Sequence, residues 1–533
     1  MPEKKKQIAS LIVFFCTWPV AIWRGPLETL WPVVTALFVV VSTRRALWGL
    51  LAGAFSGAVI LSGGNPWQAY LNLFAEHLAP SLESSWKVGA ILFTLILGGF
   101  AAVLNEGGGF RILLYSFLKR GGNASVRYQA SAAVLGILCF FDGLANSMMV
   151  GRVCKELAEK CGVSRVKLSY IADSTSSAVA CIAFISTWIA YQLTMIQEGY
   201  RIAGMEVNPY LIFVRSLPFN FYCWFTFAML FVSIFRRFNI GPMRTFENDA
   251  ARAIPPQSEE SGSTFEKRSG AARALIPLVI LILSFFVCFY LMGSPSPRWP
   301  ISVKKLVAAF GSDAGPLVLV LCGIISSASA LVLFPPHRDG RLLKGMSAFM
   351  EGAGSLVGPV FILIAAWMLG SVLDTLGTAR YLSALMEKTD MMTLVPSLIF
   401  ITGSIISFST GTSWGTMGIV FPLAIPMAAT ACREAVPAVQ ETFLQISVAA
   451  VFSGAVFGDH CSPFSDTTIV SSISCGVEPH DHIRTQIPFA LLTSVVAILF
   501  GFLPAGFGMP PFVSLIAGTA FIILLPGMVR RRR

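Results

Sequence analysis

Three short stretches set oxygen-rich side chains inside strongly apolar surroundings. "GDHCSPFSDTTIVSS" (458–472) carries two aspartates, a histidine, a proline and six Ser or Thr hydroxyls. "IADSTSSAVA" (171–180) places Asp173 immediately before Ser174 and Thr175, and "FFDGLANSMMV" (140–150) places Asp142 ahead of Asn146 and Ser147. An ionised carboxylate at bilayer depth is costly unless something neutralises it, and such residues mark ion or proton pathways by default. No Lys or Arg falls within one helical turn of Asp142, Asp173 or Asp466 along the chain. A bound cation or a proton can serve instead. The donors around these aspartates, Ser174, Thr175, Ser465, Thr467 and Thr468, are hard oxygens that suit hard cations rather than soft metals. A fourth stretch, "STGTSWGT" (409–416), has no carboxylate but offers Thr410, Thr412 and Ser413 between glycines that permit an unwound turn. It can complete a cation site or take a carboxylate at a helix N-terminus.

Other polar groups divide between chemistry and scaffolding. Asp459 either joins the cation-holding set or caps the segment that follows it. His460 is either a candidate proton relay, since histidine as a residue type titrates near neutrality, or a loop histidine bonded to Asp459. "VEPHDHIRT" (477–485) lacks a third metal ligand, so His480 and His482 are expected in a solvated loop. "NEGGGFR" (105–111) follows no strand and is expected to be a flexible link rather than a nucleotide site. The eleven cysteines show no C-x-x-C and are expected to be free thiols.

The elements that must position these groups are membrane helices. The 533-residue chain is 55% hydrophobic and 13% charged, with a mean hydropathy of +0.71, against about 25% charged residues in soluble domains. Apolar runs long enough to cross a bilayer lie near 7–23, 26–42, 45–62, 86–104, 165–190, 211–234, 274–293, 315–334, 357–373, 443–475, 487–504 and 511–530. The fold expected is an all-α polytopic membrane protein of about twelve transmembrane helices. The N-terminal run lacks a cleavage motif and is expected to be a retained span. The net charge of +11 sits mostly in short loops, such as "RVCKELAEKCGVSRVK", that face the cytoplasm if both termini do. That placement argues against nucleic acid as a partner and for a lipid bilayer, here the inner or plasma membrane.

Two halves look related. Interrupted stretches at 128–158 and 391–430 read as re-entrant hairpins, and 165–190 and 443–475 as broken helices. Asp173-Ser174-Thr175 aligns with Asp466-Thr467-Thr468, and five intervening spans would invert the second copy. Inverted repeats with broken helices meeting at the midplane are a recurrent transporter architecture. The expected division is scaffold spans at 1–127, a first core at 128–234, a mobile cytoplasmic linker at 235–273, scaffold at 274–390, a second core at 391–475 and C-terminal spans at 476–533.

Together, "GDHCSPFSDTT", "STGTSWGT" and "FFDGLANSMMV" resemble the NhaC-type Na⁺/H⁺ antiporter family over about 128–475. The resemblance implies an inverted-repeat ion transporter that exchanges Na⁺ for H⁺ with no cofactor beyond the transported ions, and folds of this kind commonly form homodimers. Some relatives carry amino acids or carboxylates coupled to Na⁺ or H⁺, and Trp188 and Trp414 are candidates to line a pocket for such a solute. The leading expectation is antiport with Asp142, Asp173 and Asp466 alternating between Na⁺ and H⁺. The alternative is a coupled carrier of a small organic solute. A membrane enzyme is disfavoured, since there is no H-E-x-x-H and no Ser/His/Asp trio stands out. A passive channel is weakened by the paired repeats.

Overall fold

The computed structural model describes residues 2–23, 25, 28–118, 123–252, 269–295, 298–337, 340–386 and 392–531. All regular structure among the described residues is helical, with no strand. Nine helices among them are long and apolar enough to cross a membrane, or up to twelve if each sharply bent pair is one span. This is the all-α polytopic architecture expected from the hydropathy.

Thirteen helices suffice to locate the polar stretches. They are α1 (Ser85–Glu106), α2 (Ala124–Leu138), α3 (Gly143–Ala158), α4 (Arg165–Ile182), α5 (Thr187–Ile202), α6 (Phe221–Phe235), α7 (Met243–Arg252), α8 (Val357–Thr375), α9 (Val395–Thr410), α10 (Ser413–Ala431), α11 (Pro437–Cys461), α12 (Asp466–Cys475) and α13 (Pro479–Val496). Helices α4 and α11 lie at the centre. Every residue of α4 from Val166 to Cys181, and of α11 from Phe443 to Cys461, is buried. Helices buried all round form the core of a bundle, while outer helices keep an apolar face for lipid. Exposed apolar side chains such as Ile282, Leu283 and Val287 mark that outer surface.

Four breaks interrupt the central helices, each where side chains can satisfy the freed backbone. Between α2 and α3, Asp142 takes an extended conformation and caps α3, its Oδ1 accepting from the Ala145 N–H at 2.7 Å. Between α4 and α5, the Ser186 hydroxyl donates to the Ala180 carbonyl at 2.8 Å and accepts from the Ile189 N–H at 3.1 Å. One residue thus serves the end of one helix and the start of the next. Thr412 caps α10 through the Gly415 N–H at 3.2 Å. The α11–α12 break, Ser462–Ser465, is anchored by the Ser462 hydroxyl donating to the Phe408 carbonyl at 2.7 Å.

The breaks meet in pairs. The Thr187 N–H donates to the Phe141 carbonyl at 2.9 Å, which joins the first two. In the second pair Gly411 adopts φ +69°, and a Cβ there would lie 2.5 Å from the Phe464 carbonyl carbon. Only glycine meets both demands.

Three expectations are modified. The arms of the 391–430 stretch are each long and apolar enough to cross a membrane, unlike the 15- and 16-residue arms α2 and α3. The triplets aligned between the halves differ in place: Asp173 lies within unbroken α4, whereas Asp466 is the first residue after a break. The linker begins as a packed segment. Met243 is buried, and Glu247 on α7 accepts from both the N–H and the hydroxyl of Ser164, at 2.8 and 2.7 Å. Linker residues 253–268 lie outside the described residues, and 269–273 begin the helix Ser269–Gly293.

Candidate functional site

Helices α4, α11, α12 and α13 bring two aspartates into one polar centre. Asp173 is fully buried. Its Oδ2 accepts from Gln486 Nε2 at 2.6 Å and from the Thr468 hydroxyl at 3.2 Å, with His482 Nε2 at 3.1 Å. Asp459, on the last turn of α11, is also buried. Its Oδ2 accepts from the Ser177 hydroxyl at 2.5 Å and its Oδ1 from the Ser465 hydroxyl at 2.9 Å. Thr468 links the two, since its hydroxyl also lies 2.9 Å from the Asp459 carbonyl oxygen. Thr467 adds contacts to Ser465 at 2.9 Å and to the Asp459 carbonyl at 3.2 Å.

The electrostatics of this centre are unusual for a protein interior. Among the described residues, no Lys or Arg comes within ion-pair distance of either carboxylate. The donors are hydroxyls, one amide and histidine. Asp173 Oδ1 and Gln486 Oε1 are buried and accept no hydrogen bond. Buried charges are ordinarily paired, and buried oxygens ordinarily accept. A hard cation or a proton has the chemistry to satisfy both features.

Two histidines flank the pair. His482 Nδ1 lies 2.8 Å from the Ser169 hydroxyl. A neutral His482 that donates from Nε2 to Asp173 can accept the Ser169 proton at Nδ1, and a protonated one donates at both nitrogens. His460 lies between Ser174 (2.9 Å from Nε2) and the Tyr222 hydroxyl of α6 (2.9 Å from Nδ1). Its backbone carbonyl accepts from Gln486 Nε2.

The other residues singled out from the sequence fall around this centre or apart from it. Asn146 is buried one turn into α3, and its Nδ2 donates to the carbonyls of Gly136 (2.6 Å) and Thr175 (2.8 Å). Ser147 accepts from Ser471 at 2.9 Å, tying α3 to α12. The Thr175 hydroxyl is used on its own helix, at the Ile171 carbonyl (2.9 Å). Asp142 lies at the first pair of breaks, where its Oδ2 accepts from the Thr187 hydroxyl at 2.8 Å. Thr410, Thr412 and Ser413 lie at the second pair of breaks. Trp188 is buried on the first turn of α5. The Trp414 ring packs tilted against that of Tyr191 at a centroid distance of 4.6 Å, and the Trp414 carbonyl accepts from the Tyr191 hydroxyl at 2.5 Å.

Two placements differ from the expectation. Asp466 is exposed at the start of α12, whereas Asp459 turns inward. The reason is local. Helix α11 runs on to Cys461 before the chain breaks, so Asp459 stays on its buried face while Asp466 opens the next helix. The "HDH" stretch is not a loop. Pro479 occupies the first turn of α13, His480 is exposed and His482 is fully buried against Asp173. His482, Gln486, Ser177 and Tyr222 were not foreseen. The signal that could have found the first two is a helix stop at Gly476, which has φ +71°, followed by Pro479 at a helix start. With α13 begun there, His482 and Gln486 are four residues apart on one face.

A second buried charged group lies elsewhere. Glu198 on α5, 2% exposed, pairs with Lys87 of α1 at 3.3 Å and Arg201 at 2.7 Å, and Arg201 reaches Asp374 of α8 at 2.9 Å.

Comparison with known proteins agrees with this architecture. A protein of Haemophilus influenzae, itself uncharacterized, is 30% identical over 517 residues, covering 95% of this chain and 96% of its own length. The malate-2H⁺/Na⁺-lactate antiporter of Bacillus subtilis is 29% identical over 234 residues, 43% of this chain and 44% of that protein. The crystal structure of the Alcanivorax borkumensis YdaH transporter superposes with a TM-score of 0.55 over 83% of this chain and 90% of that one, at 14% identity, a likeness of fold alone. The profile of the Na⁺/H⁺ antiporter family matches residues 179–505, which include the end of α4, α5 to α13 and the whole linker. The chain is therefore a multi-pass membrane transporter that belongs to the Na⁺/H⁺ antiporter family.

Proposed function

We infer that this chain exchanges Na⁺ for H⁺, with Asp173 and Asp459 as the carboxylates that hold the two ions in turn. The observation that carries the reading is the pairing of two buried carboxylates with no permanent cation beside them. Left empty and ionised, the pair would carry two negative charges in a low-dielectric interior. Na⁺ or protons neutralise it, and a neutralised site crosses between inward- and outward-facing states at far lower cost. Ser177, Ser465, Thr467 and Thr468 supply hard oxygens for Na⁺. His482, which has partners in both protonation states, is suited to pass the proton. Asp142, Asn146 and Ser147 support the centre from α3, and the hydroxyls of Thr410, Thr412 and Ser413 serve the second pair of breaks. On this reading the moving core extends beyond 475 to include His482 and Gln486, the two halves are inverted copies, and both termini lie on the cytoplasmic side of the plasma membrane.

A second reading is favoured by one feature. At the second pair of breaks, the exposed Arg44 guanidinium lies 3.5 Å from the centroid of the Phe464 ring. That cation, beside the N-terminus of α10, suits a small carboxylate, and the Bacillus subtilis relative is named for malate and lactate. On this reading Na⁺ and H⁺ drive an organic acid rather than one another.

Purified protein in sealed vesicles with an internal pH dye separates the two. Proton movement driven by a Na⁺ gradient alone, lost in Asp173→Asn, supports simple antiport. Proton movement that starts only when a carboxylate is added supports the second reading and removes the first.

A further inference from the structure

Gln486 is buried on α13, one turn after His482. Its Nε2 donates to Asp173 Oδ2 at 2.6 Å and to the backbone carbonyl of His460. The amide nitrogen therefore bridges a carboxylate oxygen and a carbonyl oxygen, the two oxygen types that Na⁺ coordinates most readily in proteins. The other end of the same amide is unsatisfied. Gln486 Oε1 accepts no hydrogen bond, and neither does Asp173 Oδ1.

An amide is nearly symmetric in shape, and its terminal torsion is broad and roughly two-fold. Half a turn about that torsion exchanges the NH₂ for the carbonyl without changing the volume filled. With Oε1 turned toward Asp173 Oδ2 and the His460 carbonyl, three oxygens converge. That arrangement is repulsive unless a cation lies among them.

We propose that Gln486 is a cation-switched ligand that sets Na⁺ affinity: its NH₂ bridges Asp173 and His460 when the site is free of Na⁺, and its carbonyl oxygen coordinates Na⁺ when the ion binds. The proposal rests on Asp173 holding Na⁺, as inferred above. Its consequence is specific. The amide competes with Na⁺ for the same carboxylate oxygen, so Na⁺ must displace an existing hydrogen bond and gains a ligand in return.

The test is Gln486→Met, an unbranched side chain of similar length with neither an amide donor nor a hard oxygen. Na⁺- and Li⁺-driven proton movement is measured for wild type, Gln486→Met and Asp173→Asn in the same vesicles. The expected result is a rise in the KM for Na⁺ of about 10-fold, because losing the carbonyl ligand on the ion outweighs losing the amide hydrogen bond that Na⁺ would otherwise displace. The rise is smaller for Li⁺, a smaller ion that needs fewer oxygens, and the loss falls on KM rather than kcat. An unchanged KM for Na⁺ overturns the proposal, as do equal losses for both ions accompanied by a fall in kcat, which is the signature of a bridge that only positions Asp173. If Asp173→Asn exchanges normally, the functional reading fails; if Asp173→Asn is inactive and Gln486→Met is normal, only the present inference fails. Should Gln486→Met fail to insert, infrared difference spectra of the wild-type protein with and without Na⁺ decide the matter. A Na⁺-dependent shift in a side-chain amide carbonyl band is expected, and its absence overturns the proposal.

Discussion

Two buried carboxylates in this molecule meet opposite surroundings. Glu198, 2% exposed, has Lys87 at 3.3 Å and Arg201 at 2.7 Å. Lys87 also donates to Ser81 at 3.1 Å and faces the Trp367 ring at 5.3 Å, so the cation is itself held in place. Asp173, fully buried, has only an amide, a hydroxyl and a histidine. Glu198 is neutralised by the protein and joins α1, α5 and α8. Asp173 and its neighbour Asp459 have no such partner, and on the proposed reading Na⁺ and protons neutralise them in turn. Burial alone does not identify an ion-exchange carboxylate. On the proposed reading, two neighbouring buried carboxylates without a resident cation do.

That contrast can be broken by substitution. The largest effect is expected for Asp173→Asn, which keeps the shape and removes the charge. Na⁺-driven proton movement should fall by about 100-fold or more, the scale set by a charged group at bilayer depth, while the protein inserts normally. Asp459→Asn should lose roughly 10- to 100-fold, since its carboxylate meets only the Ser177 and Ser465 hydroxyls. Normal exchange by either variant would remove that residue from the centre.

Glu198→Gln should do the reverse. It leaves Lys87 buried without its countercharge, so stability should drop by about 3–5 kcal/mol, read as a lower thermal midpoint in detergent, whereas the KM for Na⁺ of the folded fraction should hold. A shifted KM at unchanged stability would erase the distinction between the two regions. Asp142→Ala removes the cap of α3 and the partner of Thr187. A loss of about 1 kcal/mol of stability is expected, with a smaller fall in exchange than for Asp173→Asn. Asp466→Asn, at an exposed position, should change exchange by less than about 2-fold, as surface substitutions usually do. A collapse of exchange in that variant would return Asp466 to the site.

Much of this was legible because it is written locally. Gly, Ser and Thr clusters inside apolar runs located the breaks, and Asp173 stood out as a carboxylate with no basic residue nearby. What could not be read depends on where helices end and how distant segments meet. Choosing Asp459 over Asp466 turns on α11 continuing as far as Cys461, a matter of one helical turn. His482 and Gln486 lie about three hundred residues from Asp173 in sequence, and the polar stretch 477–485 reads as a loop because the apolar run that marks the span begins only at about 487, whereas the helix starts at Pro479. The Lys87–Glu198 pair joins α1 to α5 with no local pattern to announce it.

The central claim is that Na⁺ and H⁺ compete for the Asp173–Asp459 pair, and proton release on ion binding tests it most directly. Sodium chloride is added to weakly buffered purified protein, with choline chloride as the control, and the pH is followed. The account predicts acidification with Na⁺ alone, lost in Asp173→Asn and retained in Glu198→Gln. Acidification that persists undiminished in the Asp173→Asn, Asp459→Asn double variant, or none in the wild type, would contradict it.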